Sequence, residues 1–270
     1  MDFLTPKFWI VTLLLIATFF YGQTNLKPQV NQFDLVVSGE STNQVPLHIA
    51  LLSDLHISPD DQSLQKMAAL WQEILKEAPD IIMLAGDYVD NGGGDADFFE
   101  HRDNIASVLG RAGDIPVIAV LGNHEEWSEP VLWVKALQGA GLQVLSNEVL
   151  VLESLSLCVR GFGDAFSGQF DYISYPLECE GKRRVSLTHD PSGAFHPSVE
   201  GLVLAGHTHC GQIRIPFFGP IYVPSDAPDE AHCGLYEDDQ RQVFVSSGIG
   251  TSVVPLRFNA QSQWDLITLK

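Results

Sequence analysis

Basic residues are scarce in this sequence. Fifteen Lys plus Arg stand against 34 Asp plus Glu, a formal net charge of −19 over 270 residues. Charge of that sign repels a phosphate backbone and no Lys- or Arg-rich run offsets it locally, which excludes sequence-independent nucleic-acid binding. Cysteines are few, and the four present (Cys158, Cys179, Cys210 and Cys233) form no C-x-x-C pair. A zinc ribbon and a thioredoxin-type redox site are thereby excluded, while in an exported domain one or two disulfides are allowed, with pairing that the spacing does not give. There is no internal repeat, and with 45% hydrophobic residues the chain has material for a sizeable core rather than for disorder.

Long apolar runs are limited to one. Phe8–Tyr21 (FWIVTLLLIATFFY) is 14 uncharged residues behind Lys7, the length of a signal-peptide core and below the ~18–20 residues that span a bilayer comfortably. The following FYGQTN lacks a good small-residue cleavage pattern, so the reading is an uncleaved hydrophobic anchor helix over residues 1–22, then a polar linker over 23–32. Lys7 precedes the run and Lys27 follows it, which favours a domain held at the membrane outside the cytoplasm.

From Leu47 onward short apolar runs alternate with helical patterns. Leu47–Leu52, Asp80–Ala85 and Val117–Leu121 read as strands; Leu64, Met67, Ala68, Trp71, Ile74 and Leu75 recur at helical spacing, and further helices are expected at 102–111 and 130–140. The second half is richer in strands, at 149–159, 184–187, 202–205, 213–215, 243–246 and 264–269. Strands buried on both faces and separated by helices predict an α/β domain, taken as one unit over residues 33–270.

The chemistry lies where these strands end. Leu51-Leu52-Ser53 runs into Asp54-Leu55-His56, Met83-Leu84-Ala85 into Gly86-Asp87, Ala119-Val120-Leu121 into Gly122-Asn123-His124, Val185-Ser186-Leu187-Thr188 into His189-Asp190, and Val203-Leu204-Ala205 into Gly206-His207-Thr208-His209. In an open α/β sheet the carboxyl ends of strands form the rim where ligands bind, so residues far apart in sequence can converge there. D-x-H or G-D alone is common by chance. G-N-H and G-H-x-H are not, and all five in this order, each behind an apolar strand, point to an imidazole and carboxylate site for a divalent metal.

In these motifs the chain resembles the calcineurin-like metallophosphoesterase family, from Asp54 to His209. The resemblance implies a four-layer α/β/β/α sandwich and a two-metal site. Asp54, His56 and His209 would hold one metal, Asn123, His189 and His207 the other, and Asp87 would bridge them. His124 matches the family's non-ligand histidine that assists the leaving group, and Glu125 stands where many relatives have Asp. Mixed O/N ligation without thiolate suits Mn²⁺, Fe or Zn²⁺. The expected activity is hydrolysis of a phosphodiester or pyrophosphate by two-metal activation of water.

The tail, Cys210-Gly211-Gln212-Ile213-Arg214-Ile215-Pro216 and Ser246 to Asn259, together with the hydrophobic amino terminus, resembles the family's membrane-associated branch. That branch is related to the UDP-2,3-diacylglucosamine pyrophosphohydrolases of lipid A synthesis, so a nucleotide-linked lipid is the leading substrate expectation. Cys210 departs from the usual glycine and Ser247 from an expected Arg. Arg214 and Arg257 are candidate contacts for a distal phosphate. Aromatics at 98–99, 162–175 and 217–222 could wall an acyl chain or a base, although core packing explains such residues more often. His48, His101, His196 and His232 match no motif. The rival readings are a phosphomonoesterase or general phosphodiesterase, a non-catalytic scaffold, and a mononuclear structural metal site.

Overall fold

A computed structural model of the chain describes residues 8–9, 27–36, 45–90 and 96–270, the side chains of 96–99 excepted. The expected anchor lies outside the described residues apart from Phe8 and Trp9, which are helical; among the described residues no helix is long and apolar enough to cross a membrane.

Two six-stranded sheets form the body. The first comprises β1 (Gln29–Leu35), β2 (Leu47–Leu52), β3 (Ile81–Ala85), β4 (Val117–Val120), β5 (Gln143–Val144) and β14 (Gln263–Leu269), in the spatial order β1-β14-β2-β3-β4-β5. Strands β2 to β5 are parallel, as their helical crossovers require, whereas β14 enters antiparallel to β2 and parallel to β1. The second sheet comprises β6 (Glu148–Leu152), β7 (Leu157–Gly161), β8 (Arg183–Leu187), β9 (Gly201–Ala205), β12 (Gly234–Glu237) and β13 (Arg241–Val245), in the order β12-β13-β9-β8-β7-β6, with β7, β8, β9 and β13 parallel. A short hairpin, β10 (Arg214–Ile215) and β11 (Gly219–Pro220), stands apart from both.

Alternation along the strands divides the core. Ile49, Leu51, Ile81, Met83, Ile118 and Val120 of the first sheet meet Val159, Val185, Leu187, Leu202, Leu204 and Phe244 of the second. The first sheet's other face, Ala50, Leu52, Ile82 and Leu84, is covered by helices α1 (Asp61–Lys76), α2 (Ala96–Leu109) and α4 (Pro130–Gly139) through Trp71, Ile74, Ile105, Leu109, Trp133 and Leu137. The one-turn helix α3 (Asn123–Glu126) precedes α4. Helix α1 starts where the Asp60 carboxylate accepts from Ser63 N at 2.8 Å, and it carries Lys76 in its last turn, ahead of Pro79.

Three expectations change. The outer face of the second sheet (Val203, Ala205, Val243, Val245) is covered by Phe162, Phe170, Ala194, Phe195 and Val199, from a loop and a 3₁₀ turn at Pro191–Phe195. No α-helix forms that fourth layer among the described residues: the connections 162–182 and 188–200 are interrupted by Gly, Pro and Ser, which favour turns and 3₁₀ geometry over helix. The segment read as a linker enters the sheet at Gln29, since pairing to β14 satisfies a backbone that polarity alone left unassigned. The run 149–159 is two antiparallel strands, turned through Glu153–Leu155 and Ser156, whose φ is +49°.

Candidate metal centre

Every motif lies at the carboxyl end of a parallel strand, and the two sheets bring those ends together. Asp54 and His56 follow β2, Asp87 follows β3, Asn123 and His124 follow β4, His189 follows β8, and His207 and His209 follow β9. Asp54, Asp87, Asn123, His189, His207 and His209 are buried, as is His56; His124 has a side chain 16% exposed. Donor atoms converge in three sets, Asp54/His56/His209, His56/Asp87/His124 and Asp87/His189/His207, each within 4.8 Å of one another. Asp87 belongs to two of them.

The spacings are those of shared ligands. His56 Nε2 lies 3.1 Å from His209 Nε2 and 3.6 Å from Asp87 Oδ2, and His209 Nε2 lies 3.5 Å from Asp54 Oδ1. On the other side His189 Nε2 lies 3.1 Å from Asn123 Oδ1, 3.1 Å from His207 Nδ1 and 3.3 Å from Asp87 Oδ2. Two donors about 2.1 Å from one cation, subtending about 90–110°, stand roughly 3.0–3.4 Å apart. Lone pairs facing at such distances fit a divalent ion between them, and the buried O/N donor set suits Mn²⁺, Fe or Zn²⁺.

Backbone groups aim these rings. His189 Nδ1 donates to Ala85 O at 2.6 Å, and His207 Nε2 donates to Pro224 O, which leaves His189 Nε2 and His207 Nδ1 as the ligand atoms. His207 N donates to both oxygens of Asp54, at 3.1 and 3.0 Å, and His124 N donates to Asp87 Oδ1 at 3.0 Å. Asp54, His56, Asp87, His207 and His209 all have φ between +42° and +67°, a region that side-chain-bearing residues seldom occupy and that collects at functional sites. Glycines admit the close approaches: a Cβ on Gly122 would overlap Asp87 Oδ1, and one on Gly206 would lie 2.7 Å from Asp54 Oδ2.

Charge follows the same plan. Burial pushes the Asp87 carboxyl up, but His189, His56 and His124 outweigh it and hold it well below the usual range. For His189 burial acts to lower the pKa and the Asp87 carboxylate prevails, raising it well above the ordinary value, so that a metal binding at Nε2 displaces a proton. His56 is brought down to about 3, chiefly by burial, with His124, His189 and Arg257 overcoming the opposing pull of Asp87. His209 is lowered by burial, His56 and Arg257. Both rings are thus neutral and able to ligate.

Glu125, which the motifs mark only as a variant outside the ligand set, has a structural role. Fully buried, it accepts from Asp87 N (2.9 Å) and Gly122 N (3.0 Å) through Oε2, and from Tyr88 N (2.8 Å) and Val89 N (3.3 Å) through Oε1. Burial and the Asp87 charge push its carboxyl up to about 8, against the Gly122 and Tyr88 N–H groups. It clamps the loop that carries Asp87. The signal available was its place at the third position of a one-turn helix opened by Gly122.

Arg257 is placed otherwise than expected. Its guanidinium is buried, donates to Gly250 O, Ser247 Oγ, Ser247 O and Gly248 O, and sits 3.0 Å from His209 Nδ1. The side chain braces the loop behind His209 and is enclosed by carbonyls, a setting that favours scaffolding over contact with a distal phosphate. Ser247, where an Arg was expected, supplies part of that enclosure. Arg214, half-buried on β10, donates to Cys210 O at 3.0 Å. Cys210 pairs with Cys233, and Cys158 with Cys179. Of the aromatics, Phe162 and Phe170 are core, whereas exposed Phe166 packs on His207 (4.5 Å between centroids) and on Trp127 (5.7 Å), the latter stacked 6.3 Å from His124.

The chain is similar to proteins already known. Residues 47–211 match the model of the family described as calcineurin-like phosphoesterase. The chain is 29% identical over 231 residues to an uncharacterized metallophosphoesterase of Bacillus subtilis, YkuE, covering 82% of this chain and 78% of that one. It is 28% identical over 245 residues to the phosphodiesterase YaeI of Escherichia coli, covering 84% and 83%. A solved dimetal phosphatase of Danio rerio aligns over 75% of this chain and 87% of its own, with 13% identity and a TM-score of 0.48.

Proposed function

Since the chain belongs to the calcineurin-like phosphoesterase family and is a hydrolase acting on phosphoesters, we propose that it cleaves a phosphodiester or pyrophosphate with two divalent ions held at the rim between its sheets. The observation that carries this reading is the sharing of Asp87 between donor sets on either side of it. Asp54, His56, Asp87 and His209 would hold one ion, and Asp87, Asn123, His189 and His207 the other, as Mn²⁺, Fe or Zn²⁺. When bound, such a pair lowers the pKa of a water and neutralises the charge that develops on the phosphoryl oxygens.

The chain's own residues do the rest. Asp87 sets the separation of the two donor groups. His124 Nε2, 3.8 Å from Asp87 Oδ2 and partly open to solvent, is placed to hand a proton or hydrogen bond to the departing oxygen. Trp127 and Phe166 give the open side an aromatic lip against which an apolar or planar leaving group can lie. The name of the Escherichia coli relative supports a diester. A nucleotide-linked lipid such as UDP-2,3-diacylglucosamine remains the lipid candidate, to be compared with simple phosphodiesters and monoesters. Two disulfides fit a compartment where thiols oxidise, in keeping with a domain anchored by residues 1–22 outside the cytoplasm.

The test is metal content of the purified protein, with turnover of bis-p-nitrophenyl phosphate in Mn²⁺. Two ions per chain with turnover is the expected result. Asp87→Ala should lose both metal and activity, whereas His124→Ala should keep the metal and lose about 10²–10⁴-fold in kcat. Failure to take up metal even in added Mn²⁺, or equal metal loss in the two variants, would overturn the assignment.

A further inference from the structure

Beside the metal centre two arms carry apolar side chains into solvent. The first is the β10–β11 hairpin, which leaves the site through Gly211 and returns to it at Pro224, the acceptor for His207. The second is the loop after Ser246, which packs Gly250 N on Asp54 O at 2.6 Å and Arg257 beside His209 before reaching β14. Gln212 Nε2 bonds Ser252 O and Val254 O, Arg214 N bonds Phe258 O, and Asn259 Nδ2 bonds Arg214 O, so the arms are tied into one body. The Cys210–Cys233 disulfide fixes its base.

At the ends of this body Phe217, Phe218, Ile221, Tyr222, Val253 and Val254 are exposed, Phe217 and Val253 completely. These last two also have φ of +69° and +64°. A β-branched residue in that region is an outlier, and here the strain holds apolar groups outward, with no packing to offset it within the fold. These side chains stand exposed on two arms that are bonded to each other, an arrangement suited to entering something soft.

Charge and chain direction identify the occupant. In a chain with 34 acidic residues there is none between Glu200 and Asp226 and none between Asp239 and Asp265, the two stretches that hold the arms. Gln29 N bonds Ser262 O, and the registers place Gln29 beside Gln263 and Asp265 beside Leu51, so β1 begins at the metal-site end of the sheet, next to the root of the second arm. The apolar run ends at Tyr21, and the seven residues 22–28 reach at most about 25 Å when extended. A bilayer that received residues 8–21 would therefore lie on this side.

We propose that residues 213–222 and 251–256 form a bilayer-docking surface whose Phe, Tyr, Ile and Val side chains sink into the lipid interface and hold the rim of the metal centre against the membrane. Phe and Tyr suit that depth, and the missing carboxylates remove the repulsion that the rest of this acidic surface would meet at anionic lipid. Docking requires no phosphoesterase activity, although it would favour substrates presented from a lipid surface.

Because no described cysteine is free, the full chain bearing Phe217→Cys, Val253→Cys or, as control, Val45→Cys can be labelled at the new thiol with an environment-sensitive fluorophore. Val45 is 82% exposed and precedes β2, at the end of the sheet away from the site. After reconstitution into phosphatidylcholine vesicles containing phosphatidylglycerol, labels at 217 and 253 should shift to the blue and be quenched by brominated lipid, while the label at 45 is quenched by aqueous iodide. Should a new thiol disturb the disulfides, the unsubstituted chain can be photolabelled from a lipid-soluble diazirine, with modification expected in 213–222 and 251–256. Iodide access at 217 and 253 equal to that at 45 would overturn the proposal. So would protection from both quenchers, the mark of a protein contact. Neither readout depends on turnover, so a failure here is separable from a failure of the phosphoesterase reading.

Discussion

Glu125 offers the sharpest test of how the centre is held together. Above about pH 8, where the group is ionised, each of its carboxylate oxygens accepts from two buried backbone N–H groups, and two of those four donors belong to Asp87 and its neighbour Tyr88. Glu125→Gln keeps the shape but turns one oxygen into an N–H₂, which faces two donors instead of accepting from them. Leaving two buried donors without partners costs about 2–6 kcal/mol at about 1–3 kcal/mol each. In a domain of this size that corresponds to a fall in Tm of about 10 °C. Glu125→Asp keeps both acceptors on a shorter stem and should fall less. The Asp87 loop would loosen in the Gln variant, so metal retention on dialysis should drop with stability. Differential scanning fluorimetry and metal analysis on the three proteins read both effects. A Gln variant equal to the parent in Tm and in metal content would refute the clamp, and so would an Asp variant worse than Gln.

Other perturbations probe separate parts of the fold. Gly206→Ala would put a methyl 2.7 Å from Asp54 Oδ2; binding of the first ion should weaken, as metal titration would show, while the far-UV spectrum stays that of the parent. The double variant Cys158→Ala, Cys179→Ala opens a link with a sequence separation of 21, worth about 3 kcal/mol by loop entropy, so thermal melting should fall by about 10 °C with turnover in Mn²⁺ unchanged at 25 °C. Arg257→Lys cannot serve the carbonyls that the guanidinium fork reaches; loss of metal affinity is expected, and a rise in KM alone, with metal binding intact, would restore the substrate-contact reading. Phe166→Ala removes the ring on His207 and should raise KM for aryl and nucleotide esters more than for alkyl ones.

Much of the centre is written in the sequence because strand ends are short and local. An apolar run such as Val203-Leu204-Ala205 declares its own end, and Gly206-His207-Thr208-His209 then tells both the backbone and the chemistry required. Relations between distant segments are less visible. That Gln29–Leu35 is a strand depends on a partner more than two hundred residues away. The role of Arg257 depends on carbonyls that turn toward it only in the folded loop. Glu125 read as a variant next to a motif, since what its carboxylate accepts is backbone, and backbone leaves no mark in a sequence. The cover of the second sheet differs from what the family resemblance implies, because the connections 162–182 and 188–200, broken by Gly and Pro, build a loop and 3₁₀ turns in place of a helical layer.

The spatial order β1-β14-β2 has a consequence for how the molecule is made. Strand β2, whose end supplies Asp54, stays without one neighbour until residue 269 has left the ribosome, and β1 has nothing to join before then. At about 5–20 residues per second, the stretch from Leu52 to Leu269 takes about 10–40 s to appear, and that edge of β2 is exposed meanwhile. Edges of that kind recruit other chains. Synthesis therefore puts a premium on early capture of the amino-terminal segment and on late closure, and β14, the last of the described strands, is the one that joins β1 to the rest of the sheet.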